Sequence, residues 1–412
     1  MPSKQSYSNM LAVLNVKNNK WIFYTLIFIL VLFISSSLFK NSDDFIIKPK
    51  YLVPFADELS VKPTNLKEWK RRHYLVNYLN NEQNVLIYVT PKDNYRSDDS
   101  IKLKYKFDKT LAKCEVPCIW NETRIEDLTT EELKTADAVF YVNQEVPLKS
   151  KAWRGQKLIQ YTLESATQYP QYHDKNRYFD IHVTFDEDSD VPTSFIKDPE
   201  KWQTKQPFDM DKLSSSSPPI SLIASQWTKF REAWIPTLKD HIPIASFGSV
   251  YWSANWDIHP ECANLEPYEI KNCIISKYPF HLSIEISQEK DYSTEKLWDV
   301  FNSGSVPIIW GAPNSRSYLP HPKSAIFIDD FPDVKALADH LKYLIENKTA
   351  YLEYHKWRTE KEWSEGFDRK AYMNIENMEC NVCKEVARLR ILEGRTNLPQ
   401  FQVDLEDNVD TI

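Results

Sequence analysis

Short apolar runs that alternate with helix-length stretches constrain this chain more than any other feature. Val85 to Thr90, Ala136 to Val142, Leu158 to Leu163 and Ile181 to Phe185 are each rich in β-branched or aromatic residues and bounded by polar turns, the pattern of buried strands. Further on the alternation is explicit: strand Ile220 to Ala224, helix Trp227 to Lys239, strands Ile244 to Phe247 and Phe280 to Ile286, helix Ser293 to Asn302, strands Val306 to Trp310 and Ala325 to Ile328, helix Asp333 to Glu346. Strand and helix in turn predict parallel α/β sheets, whose ligands lie at the carboxyl ends of the strands. Ser214 to Ser217, followed by Pro218 and Pro219, reads as a linker between two such domains; the other reading is a surface loop inside one.

The 412 residues, 42% of them hydrophobic, are enough for one large or two ordinary domains. Only 6 are glycine, and the nearest two are Gly304 and Gly311, so neither G-x-G-x-x-G nor the Walker pattern can be built. A nucleotide would have to be held by side chains and helix N-termini. With 51 basic and 58 acidic residues the net charge is -7, which gives no electrostatic reason to expect nucleic acid. A sugar, a nucleotide sugar or a protein remains as partner.

Trp21 to Phe39 runs without a charge, close to the ~20 residues a helix needs to cross a bilayer. Lys4, Lys17 and Lys20 precede it with no acidic residue, and Asp43 and Asp44 follow, so the positive side is the N-terminal one. This predicts a type II signal anchor at 21–39 behind a cytoplasmic tail at 1–20, with a stem at 40–63. A buried core helix or a cleaved signal peptide are the other readings. The first is disfavoured because the segment is apolar all round, the second because the run exceeds the usual ~7 to 15 residues. Cys114, Cys118, Cys262, Cys273, Cys380 and Cys383 all follow the anchor, and an even count in a secretory context suggests disulfides. Zinc held by Cys380-Asn-Val-Cys383 with Cys114 and Cys118 is the alternative, disfavoured by an oxidising lumen. Asn121-Glu-Thr and Asn347-Lys-Thr are glycosylation acceptors if the chain is lumenal.

The densest polar cluster follows the strand at Phe280 to Ile286 and runs from Glu285 to Lys296. Asp291 or Ser293 can cap the helix that begins there, aiming its free N–H groups at the strand tip, where an anion binds without glycine. Lys296, in the first turn, opposes the helix dipole, a conflict that a diphosphate would resolve. The bland alternative is an exposed capped helix with a stray lysine.

Here the sequence becomes specific. Tyr278-Pro-Phe-His-Leu-Ser-Ile-Glu-Ile-Ser, Asp291-Tyr-Ser-Thr-Glu-Lys-Leu-Trp, Gly304-Ser-Val-Pro-Ile-Ile-Trp-Gly-Ala-Pro, Phe327-Ile-Asp-Asp-Phe and Tyr351-Leu-Glu-Tyr-His-Lys-Trp-Arg resemble, in order and spacing, the signature region of the α1,3/4-fucosyltransferases. Weaker resemblance extends upstream through Gly155-Gln-Lys-Leu-Ile-Gln-Tyr-Thr-Leu-Glu-Ser and Asp188-Ser-Asp190. It implies a Golgi type II membrane enzyme with two facing Rossmann-like domains of the GT-B type. Such an enzyme uses GDP-fucose without a required cofactor or metal and inverts the fucose anomeric centre on the 3-hydroxyl of a GlcNAc-containing glycan. The acceptor-side domain would be 64–213, the linker 214–219, the GDP-fucose domain 220–360, and the 361–412 tail would return to the first domain.

Residue by residue, the resemblance makes Tyr292, Glu295, Lys296 and Arg231 donor-binding, with Glu285 and Ser293 also on the donor side. Lys296 and Arg231 would neutralise the departing GDP. Inversion by direct displacement needs a base on the acceptor face, and Leu163-Glu-Ser matches the family's segment carrying it, which makes Glu164 the candidate; His173 and His182 are nearby alternatives. The family also ties its C-terminal tail to the first domain through cysteines, as Cys114 and Cys118 with Cys380 and Cys383 could do, while Cys262 with Cys273 would close a local loop. Three positions depart from the pattern: Ile286 for an asparagine, Asp186 for an arginine and Gln226 for an asparagine. They leave open a catalytically impaired lumenal binding homologue. Asp186-x-Asp188, Asp188-x-Asp190 and Asp209-x-Asp211 leave open a metal-dependent D-x-D glycosyltransferase.

Overall fold

The computed structural model describes residues 55–90, 109–110, 114–122, 127–145, 147–148, 150–173, 178–360 and 363–395. The expected cytoplasmic tail and anchor lie outside these residues, as does the stem as far as Pro54. Among the described residues no helix is long and apolar enough to cross a membrane.

The chain enters through α1 (Ala56–Ser60) and α2 (Leu66–Asn80) and then builds a seven-stranded sheet from β1 (Val85–Thr90), β2 (Lys109–Thr110), β3 (Cys118–Glu122), β4 (Ala138–Val142), β5 (Lys157–Tyr161), β6 (Ile181–Thr184) and β7 (Val191–Pro192). Its strand order is β2-β3-β1-β4-β5-β6-β7. All pairings are parallel except β2 with β3. A second sheet of five parallel strands, in the order β12-β11-β10-β8-β9, comprises β8 (Ile220–Leu222), β9 (Ile244–Ser246), β10 (Phe280–Ile284), β11 (Val306–Trp310) and β12 (Ile326–Phe327). The helices packed with it are α3 (Lys229–Lys239), α4 (Pro267–Ile275), α5 (Glu295–Ser303) and α6 (Val334–Glu346). The central β10 is buried at every position, as expected of a strand covered on both faces. Its apolar residues share one core with Ile220, Val306, Ile308, Leu337 and Leu341.

Several expectations are corrected. The stem ends before residue 63, because Leu59 of α1 is fully buried and its carbonyl accepts from Arg388 Nη1 at 3.0 Å. Ahead of the expected linker at 214–219, Ile196 and Trp202 pack with Leu297, Trp298 and Phe301 of α5. Ser214 to Ser217 close a turn in which the Ser217 N–H donates to the Ser214 carbonyl at 2.9 Å. Helix α5 begins on neither Asp291 nor Ser293: Thr294 is its cap. It stops at Gly304, where φ is 87° and an added Cβ would lie 2.2 Å from the Gln206 carbonyl oxygen, a combination only glycine meets.

After α6 the chain passes through α7 (Lys348–Leu352) and α8 (Glu365–Tyr372) to α9 (Met378–Leu392). Helix α9 returns to the first sheet. Its Glu385 pairs with Arg72 of α2 at 2.7 Å, both side chains buried, and disulfides join Cys114 to Cys380 and Cys118 to Cys383. Cys262 pairs with Cys273. No free cysteine is left among the six, which removes the zinc reading.

Candidate active site

The second sheet reverses its winding between β8 and β10, because β9 lies on one side of β8 and β10 on the other. In open α/β sheets a ligand crevice opens at such a switch point. Arg231, in the first turn of α3, fills it from behind. Its Nη1 donates to the Gln226 carbonyl at 2.6 Å and its Nη2 to the carbonyl of Ile284, the last residue of β10. Only 1% of the residue is exposed, and Nε has no hydrogen-bond partner among the described residues. Burial lowers its pKa while Glu285 opposes the shift.

Glu285 stands at the tip of β10 and fastens the start of α5. The Thr294 N–H and hydroxyl both donate to its Oε1, at 2.7 and 2.9 Å. Gly311 permits this, since a Cβ there would lie 2.9 Å from Glu285 Cγ. Lys296 Nζ donates to Thr294 Oγ1 at 2.7 Å and to Glu295 Oε1 at 3.3 Å, and lies 3.4 Å from Glu285 Oε2. Burial pushes the Lys296 ammonium down, but Glu285 and Glu295 outweigh it and hold its pKa above the ordinary lysine value, against repulsion from Arg231. Burial likewise opposes ionisation of Glu295, and Lys296 with Lys271 overcomes it, holding that carboxyl well below its usual range. The conflict between Lys296 and the helix dipole is therefore already relieved by two carboxylates. Ser293 turns away to Tyr318, hydroxyl to hydroxyl at 2.6 Å, and Asp291 is held by Asn314 Nδ2 at 2.7 Å.

The carboxyl edge of the first sheet meets this region. Leu163 and Phe185, just beyond β5 and β6, pack with Ile286 and Tyr292. Ile286, the departure from asparagine, is thus a seam residue with an apolar partner set. Glu164 stands next to Leu163, half-buried, and its carbonyl accepts from His173 Nε2 at 2.8 Å. Its carboxylate has no hydrogen-bond or ion-pair partner among the described residues, yet its charge reaches the Tyr292 hydroxyl. Burial, then Glu285, Glu295 and Glu164 in that order, push the Tyr292 pKa far up. His182 lies inside β6 with Asp190 accepting from its backbone N–H at 2.8 Å, so it does not join the seam group.

The D-x-D residues are engaged elsewhere. The Asp188 N–H donates to Asp186 Oδ1 at 2.8 Å and its carboxylate pairs with Lys290 at 2.9 Å. Asp209 and Asp211 both pair with Lys348, at 3.6 and 2.5 Å. Asn121 lies in β3, and Asn347 caps α7 by accepting from the Ala350 N–H at 3.0 Å. Sequence reasoning missed Thr294, Phe185, Lys271, which lies 2.9 Å from Asp299, and Glu289, which reaches across the seam. All but Lys271 and Phe185 stood inside the polar cluster already marked, but nothing in the sequence shows which of its residues face inward.

Residues 214–397 match the family model described as glycosyltransferase family 10 (fucosyltransferase), C-terminal part. The 3-galactosyl-N-acetylglucosaminide 4-α-L-fucosyltransferase of Bos taurus is 26% identical over 270 residues, covering 62% of this chain and 70% of that protein. The 4-galactosyl-N-acetylglucosaminide 3-α-L-fucosyltransferase 9 of Mus musculus is 31% identical over 252 residues, covering 60% and 64%. A crystal structure of an α1,3-fucosyltransferase with GDP aligns over 80% of this chain and 96% of that one, at 19% identity and a TM-score of 0.47. The match over residues 214–397 spans the whole second sheet, and over that part the chain is similar to the glycosyltransferase family 10 fucosyltransferases.

Proposed function

We propose that this enzyme transfers fucose from GDP-fucose to the 3-hydroxyl of a GlcNAc residue in a glycan, with inversion by direct displacement. The diphosphate is received at the switch point of the second sheet, where Lys296 and Arg231 oppose the charge that grows on the leaving group. Glu295, at the rim, accepts from sugar hydroxyls of the donor. Glu164 takes the proton of the attacking hydroxyl. The new oxygen–carbon bond forms on the face opposite the departing phosphate oxygen, which leaves with its electron pair as GDP.

The observation that supports this reading is the Glu164 carboxylate. It is half-buried at the seam, without an ion-pair partner among the described residues, and electrostatically coupled to Tyr292 of the donor side. A carboxylate so placed is available as a general base. The test is GDP release from GDP-fucose with a panel of GlcNAc-terminated glycans. Turnover should require acceptor and should collapse in Glu164→Gln; normal turnover in that variant would refute the base assignment.

The charge-free stretch Trp21 to Phe39 supports placing the enzyme in the Golgi membrane as a single-pass type II protein, with the sheets lumenal. Protection of the catalytic part from added protease in sealed microsomes checks it.

A further inference from the structure

We propose that Glu289 is a positioning residue that locks the Glu164 turn onto the donor-side loop. This rests on the reading of Glu164 as the base. Glu289 lies in the loop between β10 and α5, four residues beyond Glu285. Its side chain leaves the second sheet and is taken up mainly by the turn that follows Glu164. The Ala166 N–H donates to Oε2 at 2.8 Å, and the Thr167 N–H to Oε1 at 3.0 Å. The Ser165 hydroxyl also donates to Oε1. From its own side, the Ser287 hydroxyl donates to Oε1 at 2.6 Å and lies 2.8 Å from the Ser165 hydroxyl. The turn is closed internally as well, with the Tyr169 N–H donating to the Ser165 carbonyl at 2.8 Å and the Gln168 N–H to Ser165 Oγ at 3.2 Å.

The carboxylate therefore caps a turn of the other sheet, as an N-terminal capping residue does for a helix, but across more than a hundred residues of sequence. Charge-assisted bonds of this kind are shorter and stronger than neutral ones. Burial opposes ionisation of Glu289, and the Ser165 and Ser287 hydroxyls with the Thr167 N–H reverse that and lower its pKa. Glu164 is the residue immediately before the clamped turn; Glu285 and Tyr292 share the clamping loop, and Lys296 lies in the first turn of α5, into which that loop leads. The span from base to leaving-group cations is thus fixed by hydrogen bonds, where the apolar contacts of Leu163, Phe185, Ile286 and Tyr292 alone would allow slip. A displacement of about 1 Å between reacting groups can cost on the order of 100-fold in rate.

The test is a cycle of Glu289→Ala and Glu164→Gln, with kcat, the KM for GDP-fucose and the GDP dissociation constant measured for each. Glu289→Ala should lower kcat about 10- to 100-fold and leave GDP affinity within about twofold, and Glu289→Gln, which keeps one accepting oxygen, should recover part of the loss. In the Glu164→Gln background Glu289→Ala should cost nothing further, as expected of residues that act as a unit. Equal losses of kcat in both backgrounds, or a parallel loss of GDP affinity, would overturn the clamp. Full turnover in Glu164→Gln would instead remove the base on which it rests, and wild-type kcat in Glu289→Ala beside an inactive Glu164→Gln would refute the clamp alone.

Discussion

Phe185 and Tyr292 meet edge to face across the seam between the two sheets, with ring centroids 4.9 Å apart and planes inclined at 65°. Each is almost fully buried, and each follows a strand tip of its own sheet. The contact holds the apolar half of a seam whose polar half is built from Ser165, Ser287 and Glu289.

Removing Phe185 therefore acts on both stability and catalysis. Phe185→Ala should cost about 3 to 5 kcal/mol of folding free energy, the range for deletion of a buried ring. Phe185→Leu, which keeps most of the volume, should cost under about 1.5 kcal/mol. Urea midpoints measure this. A seam that tolerated the alanine without loss would mean that the sheets are held together elsewhere.

The charges at the switch point lead to a second prediction. Lys296→Met removes a cation from two carboxylates, and breaking a buried pair in this way is destabilising by about 3 to 5 kcal/mol. It should also lower transfer on the order of 100- to 1,000-fold, through loss of charge stabilisation. The double variant Lys296→Met with Glu285→Gln removes the uncompensated carboxylate, so it should regain much of the thermal stability and none of the turnover. Recovery of turnover together with stability would reduce Lys296 to a structural role.

Much of this was legible in the sequence. The limits of β1 and β11 coincide with their apolar runs, because a strand covered on both faces of a parallel sheet is made mostly of apolar residues. The start of α5 was not legible, because Asp291, Ser293 and Thr294 are all good caps. Tertiary contacts decide among them: Asn314 takes Asp291 and Tyr318 takes Ser293, which leaves Thr294. Glu289 was hidden for the same reason. A carboxylate in a charged loop looks solvated until the turn at Ser165 is brought to it. The packing of Ile196 and Trp202 on α5 was hidden as well, since so short a segment carries no periodicity.

Acid should weaken the fold through its buried histidines. His281, fully buried in β10 with Nδ1 2.8 Å from Ser221 Oγ, is pushed down by burial to about 3. Burial likewise depresses His73 and His355. Between about 3 and the ordinary histidine value near 6.5, the unfolded chain binds a proton at His281 that the folded chain does not, so stability is lost as pH falls through this window. The slope is about 1.4 kcal/mol per pH unit for each such group. Urea midpoints at pH 7 and pH 5 should differ accordingly, and His281→Asn should narrow the difference. An unchanged difference would mean that the imidazole is protonated in the fold.

The disulfides should prove non-additive. Cys114–Cys380 and Cys118–Cys383 span 266 and 265 residues, whereas Cys262–Cys273 spans 11. Chain-entropy arguments assign about 5 kcal/mol to closing a very long loop and about 3 kcal/mol to a short one. The two long bridges, however, join the same pair of segments, so once either is closed the other adds only the small loop between them. Removing one long pair as alanines should therefore cost clearly less than half of what removing both costs. Loss of both should loosen α9 on the first sheet, leaving the ion pairs Arg72–Glu385, Lys384–Glu115 and Arg390–Asp137 and its buried apolar face to hold it. Limited proteolysis near residue 378 and unfolding midpoints of the three variants measure this. Equal, additive costs would show that each bridge acts through its own packing, for which the buried contact of Trp120 Nε1 with Cys383 Sγ at 3.2 Å is the place to look.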